Sequence, residues 1–150
     1  MDILDNKLKT AKNFGATHTI NSRSEDPVEA IQQLTFGRGA DYAFMTVGSA
    51  EALKQSLSMI GQQGTVVIVG VITEPVPLML AEFPIFEKAL IGTKGGSINP
   101  GEDIPQLISL YKAGRIKLDE MITGRYPLEQ INEAIASVEK GEALRNVIVF

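Results

Sequence analysis

Thr65-Val66-Val67-Ile68-Val69 is a nearly unbroken apolar run held between Gly64 and Gly70. A run of this kind marks a strand covered on both faces, which is the situation of strands inside a parallel sheet. Parallel neighbours cannot be joined by tight hairpins, so helical crossovers must lie between the strands. That one segment therefore predicts an α/β architecture for its surroundings.

The rest of the chain alternates accordingly. Asp5 or Asn6 can cap a helix over 6–14, with Gly15 as its stop. His18-Thr19-Ile20 reads as a short strand. Asp26-Pro27 is a cap followed by proline at the first helical position, which starts a helix over 27–35 with Val28, Ile31 and Leu34 on one face. Gly37-Arg38-Gly39 is a turn, 41–47 a strand, 49–59 a helix, and 74–80 a proline-bearing loop with room for an edge strand. A short helix over 83–88 and a strand over 89–93 follow. Helix 102–113 carries Ile104, Leu107, Ile108 and Tyr111 on one side. Residues 115–126 read as irregular. Pro127 then opens a helix to Glu139 with Leu128, Ile131, Ile135 and Val138 as its buried stripe, and 146–150 is a last strand. The expected fold is an incomplete Rossmann-like, doubly wound parallel sheet in one domain over 1–150, with no second domain and no internal repeat.

Composition narrows the function. A net charge of −4 over 150 residues, with no two basic residues adjacent, argues against nucleic-acid binding. The absence of cysteine excludes disulfides and thiolate chemistry and fits a reducing compartment, so a cytoplasmic protein is expected. No apolar stretch is long enough for a membrane span, and no signal peptide is visible.

Candidate site residues lie where strands end. Asp2 stands at a strand tip before a helix, the position from which a dinucleotide-binding fold holds an adenosine ribose. A carboxylate there accepts both ribose hydroxyls and repels a 2′-phosphate, favouring NAD over NADP. Lys7 follows one helical turn later. Val47-Gly48-Ser49 and Val69-Gly70-Val71 place glycine just beyond strand ends, either to let a cofactor approach the backbone or simply to turn the chain. Gly92-Thr93-Lys94-Gly95-Gly96 is a third such end, with Lys94 either a phosphate ligand or a solvated lysine. Arg145 could grip a pyrophosphate bidentately or be a surface charge. His18, the one histidine, has no ligand cluster around it and reads as structural. No paired carboxylates and no Ser-His-Asp set emerge from the spacing, so no catalytic residue and no metal ligand is assigned.

Taken together, Asp2-Ile3-x-x-x-Lys7, Phe14-Gly15-Ala16-Thr17, Val69-Gly70-Val71, Gly95-Gly96, Ile104-Pro105-x-Leu107, Ile131-Asn132-Glu133-Ala134 and Gly141-x-x-x-Arg145-x-Val147-Ile148-x-Phe150 resemble the carboxyl-terminal, NAD-binding portion of zinc-type medium-chain alcohol dehydrogenases. The resemblance implies an NAD site in which Asp2 takes the adenosine ribose with Lys7 beside it. Val69 and Val71 would flank the nicotinamide carboxamide, together with the backbone at Thr93, and Arg145 would face the pyrophosphate. It also implies a homo-oligomer, with the loop near 76–80 pairing to a second subunit, and a small alcohol or aldehyde as substrate of the intact enzyme. Zinc would belong to that enzyme, not to this chain, because the family's Cys and His ligands come from a domain these residues lack. Ser49 stands where some relatives carry arginine, so that contact does not transfer.

The glycine-rich turn and the first, central strand are likewise missing. Weak or absent NAD binding, inactivity alone, an unpaired edge along 41–47 and self-association or domain swapping are the expected consequences. Two other readings stay open: part of a zinc-free quinone or enoyl reductase preferring NADPH, and a non-enzymatic oligomeric α/β interaction module.

Overall fold

A computed structural model describes residues 1–150. The backbone gathers into two compact units, Met1–Ile98 and Asn99–Phe150, each with a parallel sheet of its own.

In the first unit, α1 (Asp5–Asn13) is preceded not by a capping Asp5 or Asn6 but by Leu4, whose side chain caps nothing. Asp2 instead turns its Oδ1 onto the backbone N–H groups of Ile3 (2.7 Å) and Leu4 (3.0 Å). Asp5 is engaged elsewhere, accepting from Asn21 Nδ2 at 2.6 Å. The strand expected at 18–20 shrinks to one parallel bridge between Asp2 and Asn21. Its hydrogen bonds run from Asp2 N to Ile20 O (3.2 Å) and from Ser22 N to Asp2 O (3.3 Å). A longer ladder needs an extended partner, and helix α1 begins only three residues after Asp2.

Helix α2 (Pro27–Leu34) starts as its sequence predicts, with Asp26 Oδ1 accepting from Val28 N (2.8 Å) and Glu29 N (3.1 Å). Three parallel strands follow, β1 (Ala40–Met45), β2 (Ile60–Ile68) and β3 (Ala89–Gly92), in the order β1-β2-β3. Helix α3 (Ala50–Met59), capped by Ser49, crosses between the first two. Met45, Leu53, Ile60 and Val66 form the buried core, and Val66 is wholly enclosed. β2 begins earlier than the apolar run suggests. Ala40 pairs with Ile60 but Tyr42 with Thr65, so the residues between bulge out, with Gln63 at φ +60.

No edge strand forms over 74–80. Pro75 and Pro77 offer no N–H to a ladder, and the loop runs into the short α4 (Glu82–Phe86). Lys88, between α4 and β3, donates its Nζ to Leu57 O at the end of α3 (2.9 Å) and pairs with Glu82 (3.2 Å).

In the second unit, α5 (Pro100–Lys112) leaves its apolar face of Ile104, Leu107, Ile108 and Tyr111 exposed. β4 (Ile122–Pro127) occupies a stretch expected to be irregular. Ile122, Gly124 and Tyr126 alternate inward, but glycine and arginine dilute the apolar signal. Pro127 closes β4 rather than opening a helix. A 3-10 turn over Leu128–Gln130 leads to α6 (Ile131–Glu139), and β5 (Arg145–Val149) pairs parallel to β4. The stripe expected to be buried on α6 is not: Leu128, Ile135 and Val138 are each about half exposed, and Ala134 is the enclosed residue. Asn146 Nδ2 donates to Ala134 O (2.8 Å) and Ser137 Oγ (2.6 Å), tying the helix to the strand where Ala134 is enclosed. No helix is long and apolar enough to cross a membrane.

Candidate functional site

The parallel register aligns Met45 with Ile68 and Ile68 with Gly92, so three strand ends lie level. Ligands of open α/β sheets bind beyond such carboxyl ends. Val69 N and Gly70 N both donate to Met45 O (2.9 and 3.0 Å), and Thr93 N donates to Ile68 O (3.1 Å). Val47, Val69 and Val71 remain exposed there, and Thr93 is half-buried with its Oγ1 3.3 Å from Ser97 Oγ.

Gly48 and Gly70 are explained by each other. A Cβ on Gly70 would lie 2.5 Å from the Val47 carbonyl carbon, and one on Gly48 would collide with the Val71 carbonyl oxygen. The structure adds a reason for glycine at both places that the sequence does not display: two strand-end loops pack backbone to backbone.

Asp2 lines a cleft of about 590 Å³ in the first unit, together with Ile3, Ser22, Val47, Ser49 and Ser56. The carboxylate is half-buried, and because Oδ1 takes both backbone donors, Oδ2 is the oxygen left to meet a ligand. Asp2 and Val47 are thus brought together, as members of one cleft. Lys7, half-buried in α1, and Gly48, Val69, Gly70, Val71 and Thr93 are not among its lining residues. Arg145 opens β5 in the second unit and is exposed. Ser22 and Ser56 escaped the sequence reading, although Ser56 follows Leu53 at helical spacing and so shares its inward face.

A larger, shallow depression of about 1000 Å³ lies at the opposite, amino-terminal ends of β1 and β2. Its charged groups, Arg38 and Asp41, already pair at 2.5 Å, so it offers less chemistry than the smaller cleft. Nor is there a metal centre: no three His, Asp or Glu side chains converge, and His18 Nδ1 faces Thr17 Oγ1 at 3.1 Å. The donor set does not fit zinc. Tyr111 in the second unit has a raised pKa. Its hydroxyl donates to Asp119 Oδ2 (2.6 Å), and that bond, reinforced by the Asp119 charge, raises the phenol above its ordinary value.

A partial parallel sheet with an acidic group at its carboxyl-end crevice defines the class of protein, an α/β domain of the Rossmann type. Residues 1–113 match the zinc-binding dehydrogenase family, and the chain belongs to that family. It is 39% identical over 148 residues to an NDMA-dependent alcohol dehydrogenase of Amycolatopsis methanolica, covering 95% of this chain and 40% of the relative. It is 30% identical to an S-(hydroxymethyl)glutathione dehydrogenase of Paracoccus denitrificans, covering 100% of this chain and 42% of the relative. Benzyl alcohol dehydrogenase from Acinetobacter calcoaceticus superposes with a TM-score of 0.92 at 34% identity, over 98% of this chain and 41% of that one. The chain therefore spans about 40% of the length of the curated relatives it matches.

Proposed function

We propose that these residues form the dinucleotide-binding part of an NAD-dependent, zinc-type alcohol dehydrogenase, in which hydride passes between a small alcohol or aldehyde and NAD. The observation that carries this reading is Asp2 and Val47 lining one cleft at the carboxyl ends of parallel strands. Its volume of about 590 Å³ is ample for a nucleoside. Bound there, Asp2 Oδ2 accepts the ribose hydroxyls and excludes a 2′-phosphate, with Lys7 beside it and Val47 and Gly48 against the adenosine. Val69, Gly70, Val71 and Thr93 lie on the nicotinamide side. Arg145 is assigned to the pyrophosphate on the chemistry of its guanidinium alone. NAD supplies the hydride chemistry, and the protein supplies its orientation. Zinc belongs to the intact enzyme and is not held by this chain, whose side chains offer no donor set for it.

We assign the protein to the cytoplasm on its lack of cysteine, and to a homo-oligomer on the exposed Met79 and Leu80 of the loop before α4. Small alcohols or aldehydes, not nucleic acids or membranes, are its partners.

The test is a calorimetric titration with NAD and NADP. NAD binds weakly and NADP more weakly still, and Asp2→Asn narrows the difference. Equal affinity for both cofactors, unchanged in Asp2→Asn, removes Asp2 from the site.

A further inference from the structure

Asp2 meets its cleft from a segment that one residue holds on two sides. The bridge opposite Asn21 ties Asp2 down through Asp2 N to Ile20 O (3.2 Å) and Ser22 N to Asp2 O (3.3 Å). Both bonds lie at the long end of the usual range, and a single bridge has no further ladder to support them. Three residues on, Asn21 Nδ2 donates to the Asp5 carboxylate at 2.6 Å, a short, charge-assisted bond. Asn21 therefore grips the turn Asp2-Ile3-Leu4-Asp5 at both ends, through its backbone neighbours at Asp2 and its side chain at Asp5. Inside that turn, Ile3 N and Leu4 N hold Asp2 Oδ1 and leave Oδ2 for the cleft.

Asn21 is itself fixed. Its Oδ1 accepts from Arg23 N (3.0 Å), which turns Nδ2 toward Asp5. Its carbonyl accepts from Ser24 N (3.0 Å), Glu25 N (3.1 Å) and Ser24 Oγ (3.1 Å). The place calls for an amide, which accepts at one end and donates at the other. Aspartate would set a second charge against Asp5, and alanine would release both bonds. Neither Asn21 nor Asp5 lines the cleft.

We propose that Asn21 is the positioning residue for the Asp2 carboxylate, and through it a determinant of the choice between NAD and NADP. The inference rests on the assignment of Asp2 to the adenosine ribose. Asp2 discriminates only while Oδ2 stands where a 2′-phosphate would come. When the turn relaxes, Oδ1 loses its two donors and the carboxylate rotates away. The bonds to the ribose hydroxyls and the repulsion of a phosphate then weaken together. Asp5 belongs to the same device, although it is exposed.

The test is an NMR titration of the full chain with NAD and with NADP, run beside amide exchange. Asn21→Ala lowers the preference for NAD by about threefold, the effect of one lost hydrogen bond. It also speeds exchange at Ile3 and Leu4 and leaves the enclosed Val66 unchanged. Asp5→Ala does the same, and the two substitutions together do no more than either, because they remove one shared bond. Asn21→Asp alone loses the preference. Combined with Asp5→Asn it rebuilds the bond with donor and acceptor exchanged, and the preference returns. A merely structural role would speed exchange at Val66 and leave the preference alone, which overturns the proposal. Additive effects, or no recovery in the exchanged pair, overturn it too. Asp2→Asn separates the two claims. No response to NAD, or one that Asp2→Asn does not alter, removes Asp2 from the ribose and the proposal with it. A preference lost in Asp2→Asn but kept in Asn21→Ala overturns the positioning role alone.

Discussion

Gly70 and Val47 meet backbone to backbone, with the Val47 carbonyl oxygen 2.6 Å from where a Gly70 Cβ would stand. The loops that follow β1 and β2 are therefore packed against each other, and a ligand resting on both meets one continuous surface. Gly70→Ala should lower stability by about 1–3 kcal/mol, because the added methyl meets backbone that cannot swing aside. Gly92→Ala is the control. A Cβ there meets nothing within 4 Å, and a change within about 0.5 kcal/mol is expected. Urea midpoints of the two variants make the comparison.

Helix α2 depends on one carboxylate. Asp26 Oδ1 accepts two of the helix's first free N–H groups, and Asp26→Ala should cost about 1 kcal/mol. Asp26→Asn keeps an accepting oxygen and should recover most of the loss. A melting series of the three proteins reads this out.

These two cases show where the sequence is legible. Asp26-Pro27 is a local signal, cap and starter side by side, and the helix begins where it says. The apolar run at 65–69 is equally local and does form strand, but its burial is not: Val66 alone is enclosed, and Val69 is exposed at the strand end. Gly48 and Gly70 are visible as strand-end glycines, but that each excludes a side chain at the other is a fact of register between strands. Asp2 stands out in the sequence by its place at a strand tip. Its second task, holding Ile3 N and Leu4 N ahead of α1, depends on a backbone turn that composition does not encode. The misplaced elements share a cause. The short Asp2–Asn21 bridge, the strand at Ile122–Pro127 and the exposed α6 stripe are decided by what packs beside them, whereas propensity describes each segment alone.

Tyr111 links α5 to Asp119, and its raised pKa carries a sign. The folded state holds the phenolic proton more tightly than the unfolded state does. The stabilisation is complete below the ordinary tyrosine pKa and is lost as pH rises through the raised folded value. Asp119→Asn should bring the phenol back toward its ordinary value, read from tyrosinate absorbance in an alkaline titration. Tyr111→Phe should remove that part of the alkaline destabilisation.

The proposed NAD site requires the carboxylate of Asp2 to face an adenosine ribose across the cleft it shares with Val47. A two-dimensional NMR titration of the chain with NAD tests it most directly. The expected result is a millimolar interaction that shifts the amides of Asp2, Ile3, Val47 and Ser49 together and disappears in Asp2→Ala. Shifts confined to other regions, or a response unchanged when the Asp2 carboxylate is removed, would contradict it.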